Sequence, residues 1–341
     1  MTTADERVIA TGFAYPEGPC VGPDGTLWVV ELAGGCVSRI EDGRRVVVAR
    51  PGGSPNGAAF APDGRLVFCN NGGNWGPNES TGMRPGLGGG HPAIQCLTAG
   101  GEVRTLLDAI DGIPLNAPND LCFDQHGGYY FTDPVWAERD EHGSAPAAAS
   151  PPGDLCYVSP DGTARRIHHG LRFPNGLHVT PDGRALLVGE TGTGLVHRFD
   201  LTAPGSLGAP TTYVDLGPGS FPDGMCFDRD GRLLVAGTGS GAVFVVAPGG
   251  GRVQDVIRFA DPDVTNVCFG GPDRRTLFVT QASLGRVVAL DWPVPGMALF
   301  AGARGAAKPM GARTPSPAPT ASSCSTPAVS PRQEPTSSSW P

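Results

Sequence analysis

One short pattern recurs six times along the chain: a proline-like residue, an oxygen-bearing residue, an apolar stretch, a turn and a second apolar stretch. The copies are PEGPCVGPDGTLWVV from Pro16, PNGAAFAPDGRLVFC from Pro55, PNDLCFDQHGGYYFT from Pro118, PNGLHVTPDGRALLV from Pro174, PDGMCFDRDGRLLVA from Pro222 and TNVCFGGPDRRTLFV from Thr265. Seven residues after the second position comes Asp24, Asp63, His126, Asp182, Asp230 or Asp273, and in all but the last a glycine follows. Asp-Gly between two apolar runs marks a hairpin, because glycine accepts the positive φ such turns need. Further short apolar runs, Val46 to Ala49, Val103 to Leu106, Arg166 to His168 and Val253 to Phe259, supply outer strands. No helix of any length is suggested. Six units of four strands make an all-β, six-bladed β-propeller. The last blade contains Arg286 to Trp292, and Val8 to Ala10 can complete it as outermost strand, closing the ring.

The second position of the repeat holds Glu17, Asn56, Asn119, Asn175, Asp223 and Asn266, so every copy places a carboxylate or a carboxamide there. The first strand of each propeller blade is innermost, and equivalent positions at its start converge on one end of the central channel. Asn, Asp and Gly also make turns before strands, and for any one Pro-Asn-Gly that reading suffices. It does not explain six copies in register, or Glu17, a poor turn former. A ring of oxygen ligands with two carboxylates suits a hard cation. Calcium fits best, with magnesium, manganese or zinc as alternatives, although zinc normally wants His or Cys. An open position on such an ion is how hydrolases polarise an acyl or phosphoryl oxygen and acidify water.

Composition narrows the partners. The 52 Gly and 35 Pro punctuate the chain throughout, as many turns require. Charged residues make up only 17% and the net charge is −8, so no basic stripe exists for nucleic acid or an anionic membrane. No apolar run reaches membrane-spanning or signal-peptide length, and the expectation is a cytoplasmic monomer or weak oligomer. The nine cysteines include no CxxC pair, which argues against a disulfide framework or zinc knuckle. Cys20, Cys122 and Cys226 fall in apolar strands and read as small buried hydrophobes.

The heads PEGP at 16 to 19, PNDL at 118 to 121, PNGL at 174 to 177 and PDGM at 222 to 225 together resemble the gluconolactonase, senescence-marker-protein and luciferin-regenerating-enzyme family, from about residue 10 to about 295. The resemblance implies a six-bladed propeller with metal ligands at Glu17, Asn175 and Asp223 and with Asn119 lining or joining the site. The related diisopropyl fluorophosphatase and bacterial lactonases bind calcium through the equivalents of all four. It further implies hydrolysis of a lactone, with Asp223 as general base or nucleophile. In one respect the chain departs from the pattern: sugar-lactone members carry an Arg two residues before the Asn that matches Asn119, and here that position is Ala117. A less polar lactone or ester then becomes the better candidate.

Substrate contacts are expected from Asn56, Asn119 and Asp120 in the ring, and from His91 and Trp136 on two long loops, Asn70 to Pro92 and Pro134 to Gly153, which also carry Trp75 and His142. His91 and His178 are candidates for proton transfer, with a satisfied structural histidine as the plainer reading. No GxSxG elbow, Walker loop or HExxH is present. Residues 1–300 form the expected propeller and residues 301–341 a low-complexity, disordered tail of Ala, Pro, Ser and Thr, with Cys324 exposed. Two rivals to a lactonase remain: a phosphotriesterase-like or other ester hydrolase on the same metal, and a noncatalytic metal-binding propeller.

Overall fold

The Asp-Gly hairpins form as the repeat predicts. Gly25, Gly64, Gly127, Gly183 and Gly231 take φ between +69° and +87°, and Arg274, where the sixth copy lacks glycine, adopts φ +58° in their place. The turn aspartate helps: Asp24, Asp63, Asp182 and Asp273 each accept the backbone N–H two residues on, at 3.0 to 3.1 Å. A computed structural model describes residues 5–73, 90–136 and 150–297, with the backbone of residues 2 and 3. The expected tail, Trp75, His142 and Cys324 lie outside the described residues.

Among the described residues there is no helix, and 28 strands build six sheets with one detached hairpin. The chain starts with β1 (Thr2–Thr3) and β2 (Arg7–Thr11). Blade 1 is β3 (Pro16–Val21), β4 (Leu27–Glu31), β5 (Cys36–Glu41) and β6 (Arg44–Ala49). Blade 2 is β7 (Pro55–Phe60), β8 (Leu66–Asn70), β9 (Ala93–Leu97) and β10 (Val103–Leu107). The hairpin β11 (Ala109–Ile110) and β12 (Ile113–Pro114) leads to blade 3, made of β13 (Leu121–Phe123), β14 (Tyr129–Asp133), β15 (Pro152–Val158) and β16 (Ala164–Arg172).

Blade 4 is β17 (Pro174–Val179), β18 (Ala185–Glu190), β19 (Leu195–Ala203) and β21 (Thr211–Asp215), with the short β20 (Ser206–Leu207) beside β19. Blade 5 is β22 (Pro222–Phe227), β23 (Leu233–Gly237), β24 (Ala242–Val246) and β25 (Val253–Arg258), with β1 added in parallel on its outer edge. Blade 6 is β26 (Val264–Gly270), β27 (Thr276–Gln281) and β28 (Arg286–Asp291), and β2 pairs antiparallel with β28 as its outermost strand. The ring is thus closed by hydrogen bonds between the two ends of the propeller, as the sequence predicts. The parallel β1 and the β11–β12 hairpin carry no sequence signal of comparable strength and are not anticipated.

Packing follows strand periodicity. Among the described residues the core consists of six clusters, each between neighbouring blades. In β23, Leu233 and Val235 face blade 4 while Leu234 and Ala236 face blade 6, all fully buried. A strand buried on both faces reads as a continuous apolar run, which is why these segments lack polar alternation. Cys20, Cys122 and Cys226 are buried free thiols inside such clusters, in line with the packing role read from sequence. The innermost strands β3, β7, β13, β17, β22 and β26 neighbour one another in that order around the axis, and β26 returns to β3.

Candidate functional site

The repeat's oxygen-bearing residues all sit at one end of the innermost strands, five of the six at breaks in strand register. The shifts fall between Glu17 and Cys20, Pro55 and Ala58, Pro174 and Leu177, Pro222 and Met225, and Val264 and Asn266. A bulge of this kind re-aims a side chain away from the sheet's alternation. In blade 3, Asn119 and Asp120 precede β13, and the Asn119 N–H donates to the Thr132 carbonyl at 2.9 Å. The turn-only reading of Pro-Asn-Gly does not hold, because these residues are strand and the glycine serves another purpose. A Cβ on Gly18 would lie 2.6 Å from the Asn56 carbonyl oxygen, on Gly57 2.1 Å from Asp120 Oδ1, on Gly176 2.1 Å from the Asp223 carbonyl oxygen, and on Gly224 1.9 Å from Asn266 Cγ. Glycine lets the first strands of blades 1, 2, 4 and 5 press against the head of the next.

Glu17, Asn56, Asn119, Asp120, Asn175, Asp223 and Asn266 are all buried. They are not equivalent. Asn266 commits its amide to its surroundings: Nδ2 donates to Glu17 Oε2 at 3.2 Å, and Oδ1 accepts the Val267 N–H at 2.8 Å. Asn175 does the opposite. Its side chain lies beside Asp223 and favours the charged form of that carboxyl, while its buried Oδ1 has no hydrogen-bond partner among the described residues. A buried amide oxygen left unpaired costs about 1–3 kcal/mol, so its orientation needs a reason.

The carboxylates give one. Burial pushes the Glu17 carboxyl up, against hydrogen bonds from the Gly18 N–H, Asn266 and Thr265. Burial also pushes Asp223 well up, and the charges of Glu17 and Asp120 add to it. Asp120 is raised to about 8 by burial and by the Glu17 charge. None of these three carboxylates takes part in an ion pair among the described residues. Buried acids that repel one another beside an orphaned amide oxygen fit a cation held between them. No three His, Cys, Asp or Glu side chains among the described residues cluster tightly enough to hold a metal alone, so the amide oxygens are needed in the ligand set. Glu17, Asn175 and Asp223, with Asn119 at the same repeat position, could supply such a set.

A second series of residues, which the repeat carries but the sequence analysis does not single out, closes the second strands. Glu31, Asn70 and Asp133 stand 14 residues after Glu17, Asn56 and Asn119, and Glu190 stands 15 after Asn175. Each accepts backbone N–H groups from the segment leading into its own blade's head. Glu31 Oε2 takes Ala14 N at 2.8 Å, Asn70 Oδ1 takes Ser54 N at 3.0 Å, and Glu190 Oε1 takes Arg172 N at 2.6 Å. Asp133 takes both Asn116 N and Ala117 N, and burial raises its pKa to about 6 despite those bonds. The near-constant spacing was the available signal. These side chains clamp the lead-in segments and so set where each ring residue starts.

The lead-in segments are strained. Tyr15, Phe173 and Phe221, each directly before a ring proline, have φ of +57°, +57° and +43°. Left-handed backbone is rare for bulky residues, a following proline disfavours helical backbone further, and each instance costs on the order of 1–3 kcal/mol. Of the other sequence candidates, Trp136 is half-buried and packs edge-on against Phe173, with centroids 4.4 Å apart. His91 is exposed, and its backbone and Pro92 meet the Gly72 segment of blade 2. His178 is buried, its Nδ1 donating to the Val179 carbonyl at 2.7 Å, and burial holds the imidazole below its ordinary pKa. That satisfied, neutral state is the structural reading made from the sequence.

The sequence profile described as the SMP-30/Gluconolactonase/LRE-like region matches residues 14–283. The chain belongs to this family. Among named relatives, the diisopropyl-fluorophosphatase of Loligo vulgaris is 27% identical over 297 residues, covering 81% of this chain and 88% of that one. The gluconolactonase of Zymomonas mobilis is 30% identical over 187 residues, covering 52% of this chain and 51% of that one, so this match spans about half of the relative's length. Among solved structures, a gluconolactonase from Xanthomonas campestris superposes with a TM-score of 0.68 at 26% identity, over 85% of this chain and 90% of that one. The family match covers all six ring positions from Glu17 to Asn266.

Proposed function

We propose that this protein is a metal-dependent hydrolase that opens a lactone ring. The reading rests above all on one observation: two buried carboxylates without ion-pair partners, Glu17 and Asp223, feel each other's charge, and Asp223 lies beside Asn175, whose buried amide oxygen has no donor among the described residues. Glu17, Asn119, Asn175 and Asp223 would hold one divalent cation, for which an all-oxygen set favours calcium. Bound there, such an ion would polarise the ring carbonyl and lower the pKa of water. Asp223, kept ionised by the cation, takes the proton of the attacking water as that water's oxygen bonds to the carbonyl carbon. The ring C–O bond then breaks, and the proton is returned to the departing ring oxygen. Attack by Asp223 itself on the carbonyl carbon, followed by hydrolysis of the ester so formed, uses the same placement. Asn56 and Asp120 face the bound substrate from the ring, with Trp136 and His91 as outer contacts.

The gluconolactonases among the relatives support a lactone. The length of the match to the squid diisopropyl-fluorophosphatase supports a phosphotriester as second reading, since the same cation stabilises any developing oxyanion. Purified protein assayed against a lactone and organophosphate panel, with calcium and with chelator, separates them. Turnover of lactones that chelator abolishes is the expected result; turnover of organophosphates alone would favour the second reading, and no chelator-sensitive turnover would sink both.

A further inference from the structure

The strained aromatic residues stand on opposite sides of the channel mouth. Tyr15 leads into blade 1, yet its hydroxyl lies beside Thr238, just after β23 in blade 5. Blade 6 lies between those two blades, so the Tyr15 side chain crosses it at the mouth, close enough to Asp263, Asp223 and Glu17 to feel all three charges. Phe221, leading into blade 5, meets the same segment, with Cδ2 3.3 Å from where a Cβ on Gly239 would lie. On the other side, Trp136 follows β14 of blade 3 and lies against Phe173, which leads into blade 4. In a closed ring of six, blade 3 is opposite blade 6. Three of these four aromatics are held in left-handed backbone. Strain of that kind persists where the surroundings impose it, and it gathers at ligand sites.

We propose that Tyr15 with Phe221, and Trp136 backed by the buried Phe173, form two facing aromatic walls above the oxygen ring that select a cyclic ester bearing an apolar substituent over a polyhydroxylated sugar lactone. The proposal rests on the hydrolase reading above for the word ester, while the walls are a matter of binding. Aromatic faces favour apolar and ring-shaped groups, and they offer few hydrogen bonds to the hydroxyls a sugar would bury unpaired. The buried Ala117 adds no polar group beside Asn119.

Lactams test the walls independently of turnover, since they share the ring carbonyl and resist hydrolysis. Calorimetry in calcium buffer should show an alkyl-substituted γ-lactam binding at least about 10-fold more tightly than a gluconolactam, the size of effect one or two apolar contacts give. Tyr15→Ala and Phe173→Leu should each weaken the alkyl lactam by about 5-fold or more, while Tyr15→Phe, which keeps the ring, should stay within about 3-fold. Calcium affinity measured in parallel confirms that each variant is folded. Equal or tighter binding of the gluconolactam, or variants that bind the alkyl lactam as wild type does, would overturn the walls. Selective lactam binding without lactone turnover would remove the hydrolase reading and leave the walls standing; lactone turnover with a sugar preference would do the reverse.

Discussion

The two ends of the central channel are built by the same six strands and have opposite chemistry. At the mouth stand the oxygen-bearing residues from Glu17 to Asn266, with three mutually repelling carboxylates among them. Three to four residues further along the same strands the lining turns to Cys20, Cys122, His178 and Cys226, then to Phe60, Phe123 and Phe227, around a cavity of about 90 Å³. The difference teaches where function and stability are separately held. The mouth carries buried carboxyls whose charges repel one another, and the floor carries apolar packing that keeps the mouth's backbone in place. Stability is given up at sites in this way and recovered elsewhere in the fold.

The comparison breaks most directly at Asp223. Asp223→Asn should cut chelator-sensitive turnover on the order of 10³-fold, the scale of losing a positioned base, measured as kcat/KM in saturating calcium. The same change should raise the melting temperature of the metal-free protein, because it removes a buried charge repelled by Glu17 and Asp120. A metal-free variant that melts below the metal-free wild type would contradict the strained state ascribed to the mouth.

At the floor, Phe227→Ala should cost about 3–5 kcal/mol in urea unfolding, since Phe227 is fully buried between blades 4 and 5 and packs edge-on against His178 at 5.5 Å. Its calcium affinity should stay within about 2-fold of wild type, as the removed atoms carry no charge or donor. Gly176→Ala probes the join between the two ends. Its Cβ would meet the Asp223 carbonyl oxygen at 2.1 Å, so blades 4 and 5 must part; we expect a loss of about 3 kcal/mol together with weakened calcium binding, read by titration calorimetry.

The smallest effect concerns the clamps. Burial pushes the Glu31 carboxyl up, but hydrogen bonds from Arg45, Ala14 N and Ser38 and the Arg45 charge outweigh it and hold the pKa below 4.5. A depressed folded pKa means the contribution is complete above about pH 4.5 and is lost as pH falls through the folded value. Glu31→Gln should therefore cost about 2 kcal/mol at pH 7 and flatten the acid limb of the stability profile below pH 4.5, followed by urea unfolding at several pH values.

Much of this was legible in the chain. Asp-Gly pairs at constant spacing force hairpins, and strands buried on both faces leave apolar runs that hardly resemble anything else, so blade number, strand pairing and ring closure by Val8 to Ala10 could be read before any coordinates. The ring at Glu17, Asn56, Asn119, Asn175, Asp223 and Asn266 was visible for the same reason, since a repeat converts register into convergence. Less could be read at the level of single side chains. Asn175 and Asn266 have the same residue type at the same repeat position, yet one leaves its oxygen unpaired and the other commits its amide to Glu17 and Val267. Asp120, expected as a substrate contact, also feels the Glu17 charge across the ring, a proximity set by the Gly57 approach.

What the sequence by itself determined is the propeller and the list of residues at its mouth, because periodicity and turn chemistry are local and repeat six times. What only the tertiary structure decided is how those residues differ from one another. That depends on which neighbour each meets across a blade boundary, as when Tyr15 passes blade 6 to reach Thr238. Contacts between blades join positions far apart in the chain, and no local pattern records them.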